Sequence, residues 1–194
     1  DNGLDLTTFT GSPSLTLGTH FIDPTSTIGV YTVKLSPLVA NASQNGILLV
    51  SAARNEDNYA LSRANNDGSF TVYCHDNGQN GDEYENDGVT FAYLPASAAG
   101  TGRVVALGRV NGNGTTDVAG GNFQVTKGTT GRWHITIPGQ SGATGVLVVS
   151  PAGGGSNNVD NIVSHQWDAD HGYWVVESRD LPAVGLQDMA STAE

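Results

Sequence analysis

Apolar and polar residues alternate with a period of two in Tyr31-Thr-Val-Lys-Leu35, Phe70-Thr-Val-Tyr73 and Trp133-His-Ile-Thr-Ile137. That period sends successive side chains to opposite faces of a strand. Two continuous apolar runs, Ile47-Leu-Leu-Val50 and Val146-Leu-Val-Val149, read as strands covered on both faces. Turn-forming residues break the pattern roughly every 8–12 positions, the spacing of sandwiches and barrels. No stretch carries a 3.6-residue period, and Ala96-Ser-Ala-Ala99 is closed off by Pro95 and Gly100. The pattern predicts an all-β protein.

The chain also resembles itself. Gly29-Val-Tyr-Thr-Val-Lys-Leu35 matches Gly131-Arg-Trp-His-Ile-Thr-Ile137, and Gly46-Ile-Leu-Leu-Val-Ser51 matches Gly145-Val-Leu-Val-Val-Ser150. Asn55-Glu-Asp-Asn58 then matches Asn158-Val-Asp-Asn161. From there the copies run on without a gap, so that Phe70-Thr-Val72 falls on Tyr173-Trp-Val175. Ordered matches of this kind point to a duplication. The expected organisation is one β repeat over 1–95, a linker over 96–102 and a second repeat over 103–194. The expected architecture is two tandem sandwich-like repeats packed with approximate two-fold symmetry; a single fused sandwich is the alternative.

One mismatch between the copies bears on function. Copy one closes with a good strand pattern, Gly88-Val-Thr-Phe-Ala-Tyr-Leu94, whereas copy two runs out at Leu186-Gln-Asp-Met-Ala-Ser-Thr-Ala-Glu194 without an equivalent. Either the sequence is an excised piece or another segment fills that edge. An uncovered edge invites pairing with another chain. Leu4, Leu6 and Phe9, within Asp1–Thr10, are candidate anchors of a donor strand that a neighbouring copy would supply.

The run Gly145-Val-Leu-Val-Val-Ser150, followed by Asp160-Asn161 and Trp174-Val-Val-Glu-Ser-Arg-Asp-Leu-Pro182, resembles a repeated β-module of large secreted proteins from environmental bacteria. That resemblance implies an extracellular or cell-surface setting and carries over no functional residue. The Gly-, Asn-, Thr- and Ser-rich texture points the same way, as does a start at Asp1 without Met, which reads as a matured chain or an excised segment.

Charge narrows the partners. Eight Lys and Arg stand against nineteen Asp and Glu, a net charge of -11, and no basic cluster is present to contact phosphates. Nucleic acid is therefore not an expected partner. No apolar run approaches the about 20 residues of a transmembrane helix. Cys74 is the only cysteine, which excludes an internal disulfide and predicts a small buried side chain on a strand.

Four groups of residues are candidates for chemistry. Asp76, Asn80, Asp82, Glu83, Glu85 and Asp87 gather carboxylate and amide oxygens, the ligand types of Ca²⁺, in a Gly-rich loop; the alternative is a solvated acidic loop. Asn111-Gly-Asn113-Gly-Thr-Thr-Asp117 is a weaker version of the same pattern and reads first as a turn. His165, Asp168, Asp170 and His171 are metal-ligand types, yet the matching stretch of copy one, Asn65-Asn-Asp67-Gly68, is a hairpin-turn signature without histidine. Trp167, Tyr173 and Trp174 form an aromatic group suited to stacking on a glycan, with Trp167 the best candidate for an exposed ring. The Asn-x-Asp-Asn elements read as Asx-turns.

No catalytic signature appears: there is no Gly-x-Ser-x-Gly elbow, no His-Glu-x-x-His and no phosphate loop. Glu83, Glu85, Glu177 and Asp180 are present as carboxylates without a spacing that pairs them for glycoside chemistry. The expectation is a non-enzymatic structural or adhesive surface protein that self-associates by strand exchange through its N-terminal segment. The alternatives are a carbohydrate-binding module of a larger secreted enzyme and a glycan-active enzyme.

Overall fold

A computed structural model of the chain describes residues 22–24, 27–35, 39–52, 58–76, 84–85, 88–153, 161–179 and 185–186. The protein is all-β. Its strands among the described residues are β1 (Ile22–Pro24), β2 (Val30–Val33), β3 (Gly46–Ala52), β4 (Tyr59–Ala64), β5 (Phe70–His75), β6 (Val89–Pro95), β7 (Leu107–Val110), β8 (Thr116–Gly120), β9 (Gln124–Lys127), β10 (Arg132–Thr136), β11 (Ile162–Asp168) and β12 (Tyr173–Arg179). One helical turn, α1 (Ala42–Asn45), precedes β3, and a 3₁₀ turn (Ala96–Ala98) follows β6. No helix among the described residues is long and apolar enough to cross a membrane.

Two four-stranded antiparallel sheets run in the orders β1-β2-β5-β4 and β9-β10-β12-β11. Two further antiparallel pairs, β3–β6 and β7–β8, complete the architecture. The alternation seen in the sequence selects the inner face of the first sheet. Tyr31 and Val33 of β2, Ala60 of β4, and Phe70, Val72 and Cys74 of β5 are buried there. Leu48 and Val50 of β3 and Phe91 and Tyr93 of β6 pack onto the same cluster from the other side. The second core holds Trp133 and Val176, packed by Val110, Val125, Ile135, Leu147, Val149 and Val163.

The two large sheets correspond pair by pair. Tyr31 faces Val72 across β2 and β5, and Trp133 faces Val176 across β10 and β12, each pair buried. The Cys74 amide donates to the Gly29 carbonyl at 2.8 Å, and the Ser178 amide to the Gly131 carbonyl at 2.9 Å. Gly29 and Gly131 both hold positive φ, at 68° and 66°. Beyond the last strands, His75 pairs with Tyr84 and Arg179 with Leu186.

This register corrects the ungapped sequence match. Phe70 pairs with Val33, and the residue that pairs with Ile135 in the second sheet is Trp174, not Tyr173. The first hairpin closes with Asn65 donating to Ser69 O, around Asn66–Gly68; the second closes from Asp168 to Tyr173, around Ala169–Gly172. The second loop thus holds one residue more. Because strand faces alternate, that single residue moves every following side chain to the other face of an ungapped alignment.

Candidate functional site

The second apolar run is not a strand with both faces covered. Gly145–Ser150 leaves a turn in which the amides of Thr144 and Gly145 donate to Ser141 O (3.1 and 3.0 Å), then runs on outside any ladder. Leu147 and Val149 point into the second core, while Val146 and Val148 are 86% and 66% exposed. Among the described residues the backbone amides and carbonyls of Val146–Val149 make no hydrogen bond. The matching strand of the first half, β3, satisfies its backbone through seven residue pairs with β6, from Gly46↔Pro95 to Ala52↔Val89. Residues of the same chemical type thus form a strand in one half and a bare extended edge in the other. Water satisfies the polar groups of such an edge until a strand replaces it.

The edge is anchored at its far end. Ser150 Oγ lies 3.2 Å from Val50 N and 3.3 Å from Val50 O. The Ser62 amide donates to Pro151 O at 3.3 Å and the Gly153 amide to Ser62 O at 3.0 Å, which makes a short parallel link to β4. Between this anchor and the β7–β8 hairpin lies an apolar groove of about 480 Å³ whose lining includes Leu49, Leu94, Val105, Phe123, Ile137 and Val148. Val105 is 43% exposed on it. Its charged lining residues are Arg103 and Arg109; Arg109 pairs with Asp117 at 2.9 Å. Trp133 also lines the groove, and its buried indole N–H has no acceptor among the described residues. From Trp133 to Val159 the sequence contains no Asp, Glu, Lys or Arg, so the edge and its surroundings are nearly charge-free in a chain of net charge -11.

The aromatic group is divided between two faces. Trp174 is 3% exposed in the core, and Trp167 crosses it edge-on with centroids 4.5 Å apart. Trp167 is half-buried, not an exposed ring: Gly142 sits so close that a Cβ there would lie 2.8 Å from the indole Cγ. Tyr173, on the outer face, stacks with His134 (4.3 Å) and His171 (5.5 Å). These rings are engaged with one another and form no shared platform.

The oxygen-rich stretches are turns where they are described. Asn111-Gly-Asn-Gly-Thr115 joins β7 to β8; Thr115 donates to Asn113 Oδ1 through its amide and hydroxyl, and Asp117 is taken up by Arg109 and Asn111. Asp168 accepts from the amides of Asp170 and His171, and His171 Nδ1 lies 2.9 Å from Asp168 Oδ2, while His165 stands on β11. Asp67 accepts from the hydroxyl and amide of Ser69, and these bonds hold its carboxyl below the usual range. Of the acidic loop, Asp76 follows β5, and Glu85 follows Tyr84 and donates its amide to Cys74 O. Asn80, Asp82, Glu83 and Asp87 lie outside the described residues, as do Leu4, Leu6 and Phe9, Asp180, and all of the Asn-x-Asp-Asn elements except Asn58 and Asn161. No group of three or more metal-ligating side chains occurs among the described residues.

Glu177 is placed for structure. It accepts from Arg132, whose Nε lies 3.0 Å away, and from Arg179 at 2.6 Å. The hydrogen bond from Arg132, then that from Arg179, holds its carboxyl below the usual value. Cys74 is fully buried. The groove residues Arg103, Val105 and Phe123 belong to no motif; the available signal was the last strand pattern of copy one, Gly88–Leu94, which has no counterpart in the sequence of copy two. No family model, no curated protein and no solved structure matches this chain.

Proposed function

We propose that the protein is a structural, self-associating β-module of a secreted or surface-exposed bacterial protein, built by tandem duplication, and that Gly145–Ser150 is the edge at which a second copy adds a strand. The observation that supports this reading most directly is the backbone of Val146–Val149, extended and without a hydrogen-bond partner among the described residues, with Val146 and Val148 exposed beside an apolar groove. Strand addition satisfies the polar groups along one edge of such a backbone and sets a second row of side chains beside Val146 and Val148. An exposed apolar patch of this kind is a marker of interaction. Stable edges of soluble β-proteins carry lysine, proline or inward charges against this outcome, and this edge carries none between Gly145 and Ser150.

Light scattering on the full chain across a concentration series tests the reading. Species heavier than the monomer are expected to grow with concentration, and the double substitution Val146→Lys, Val148→Lys is expected to abolish them without altering the far-ultraviolet spectrum. A monomer at every concentration overturns the proposal.

A further inference from the structure

We infer that the strand added at this edge is the same edge of a second copy, in an antiparallel pair centred on Val148. The inference rests on the strand-acceptor reading above and names its partner. Rotation about a two-fold axis through Val148 places Leu147 opposite Val149 of the second copy, and Val146 opposite Ser150. The inward row therefore meets an inward row of the same kind, the exposed Val148 meets its own copy, and Val146 meets Ser150, whose hydroxyl is held on Val50. The segment is complementary to itself.

Charge favours this partner over other surfaces of the chain. Two copies of net charge -11 repel when acidic faces meet. The region from Trp133 to Val159 carries no formal charge, and the groove beside it contributes only Arg103 and Arg109. The two-fold axis thus brings together an uncharged part of each copy, where approach costs least. An isologous contact of this type pairs two copies through one edge of the segment and closes on itself as a dimer. A heterologous donor strand would instead build an open chain of copies.

The full chain carrying Val148→Cys tests the pairing. Residues directly opposed in an antiparallel ladder have Cα atoms about 4.5 or 5.5 Å apart, both within the range a disulfide spans. Cys74 is fully buried, so the native chain is the silent control. Under oxidised glutathione the Val148→Cys chain is expected to double in mass on a non-reducing gel. The Val146→Cys chain is expected to stay single alone and to cross-link when mixed with Ser150→Cys.

Three results would overturn the inference. One is a wild-type chain that associates, and loses association with the double lysine substitution, while Val148→Cys does not cross-link; the edge then accepts a different strand. The second is mass that grows beyond a dimer. The third is association abolished by Leu4→Asp with Leu6→Asp, which assigns the donor to the N-terminal segment. A chain that neither associates nor cross-links sinks the strand-acceptor reading as well.

Discussion

The two four-stranded sheets are built alike and finished differently. The first is closed by β3 and β6, whose seven-pair ladder lays Leu48, Val50, Phe91 and Tyr93 over Phe70 and Val72. Among the described residues the second has only Gly145–Ser150 in the place of β3, and Leu147 and Val149 reach its core from a segment without a ladder. Equal strand order therefore does not give equal cover. Closure is supplied by the outer pair, and the groove reaches Leu48 and Phe70 of the first core as well as Trp133 and Val176 of the second.

That contrast can be broken by measurement. Phe70→Ala removes the largest fully buried side chain of the covered half and is expected to cost about 3–5 kcal/mol in urea unfolding, the usual range for an aromatic lost from a closed core. Leu48→Ala is expected to cost about 2–5 kcal/mol, while Leu147→Ala, at the matching place in the open half, stays at the low end, about 1–2 kcal/mol, because its surroundings are already half-solvated. Equal costs for the two leucines would show that the halves are covered alike.

Legibility in the sequence followed the same line. Strands β2, β5 and β10, the buried Cys74 and the turn at Gly68 were readable because period-two alternation and glycine at positive φ are local properties, whereas β1, β4, β9 and β11 carry no such clear pattern. Tyr31 and Trp133, paired by the sequence match, are both buried opposite a buried valine. Phe70 and Tyr173, also paired by it, lie on different faces, since one inserted loop residue is invisible to an ungapped comparison yet reverses the face. Val146–Val149 looked like a fully covered strand because composition reports apolarity, whereas cover depends on a partner far along the chain. The β7–β8 hairpin was read only as its turn, Asn111–Asp117, because its strands are short and interrupted by glycine. The groove was not legible at all, since its walls come from many separate parts of the sequence between Ile47 and Val176.

The hairpin glycines give a smaller test of the comparison. Gly68 and Gly172 both hold positive φ, at 88° and 75°. Alanine at Gly172 meets open space and is expected to cost about 1 kcal/mol of backbone strain. At Gly68 its Cβ would lie 2.9 Å from the Asn41 Cα, so the cost is expected to exceed about 2 kcal/mol. Thermal unfolding that ranks them the other way would show that the first hairpin does not press on α1.

Acid gives the smallest effect. The Glu177 carboxylate is held below its usual value near 4.5 by Arg132 and Arg179, so its contribution to stability is present above that pH. The contribution is lost as the pH falls through the depressed value. Tyr73 stands at the matching place in the first sheet, so the carboxylate bridge between paired strands is a feature of the second sheet, while Asp67 acts at the tip of the first hairpin. Amide protection, taken relative to the intrinsic exchange rate at each pH, is expected to fall in β10 and β12 below pH 4.5, and Glu177→Gln is expected to remove that pH dependence; an equal pH dependence in both proteins would contradict it.

The link between Ser150 and Val50 joins residues 100 positions apart. Folding must close a long loop before that contact forms, whereas the β4–β5, β7–β8 and β11–β12 hairpins close locally. The order of events is then set by contact distance: hairpins first, the clasp between the halves last. Until the clasp forms, the apolar run from Val146 to Val149 is held only through Leu147 and Val149 on the second core, so a newly made chain passes through an adhesive state just before it is complete. A mutation that slows the clasp, such as Ser150→Ala, therefore acts on the time the chain spends exposed more than on the final stability.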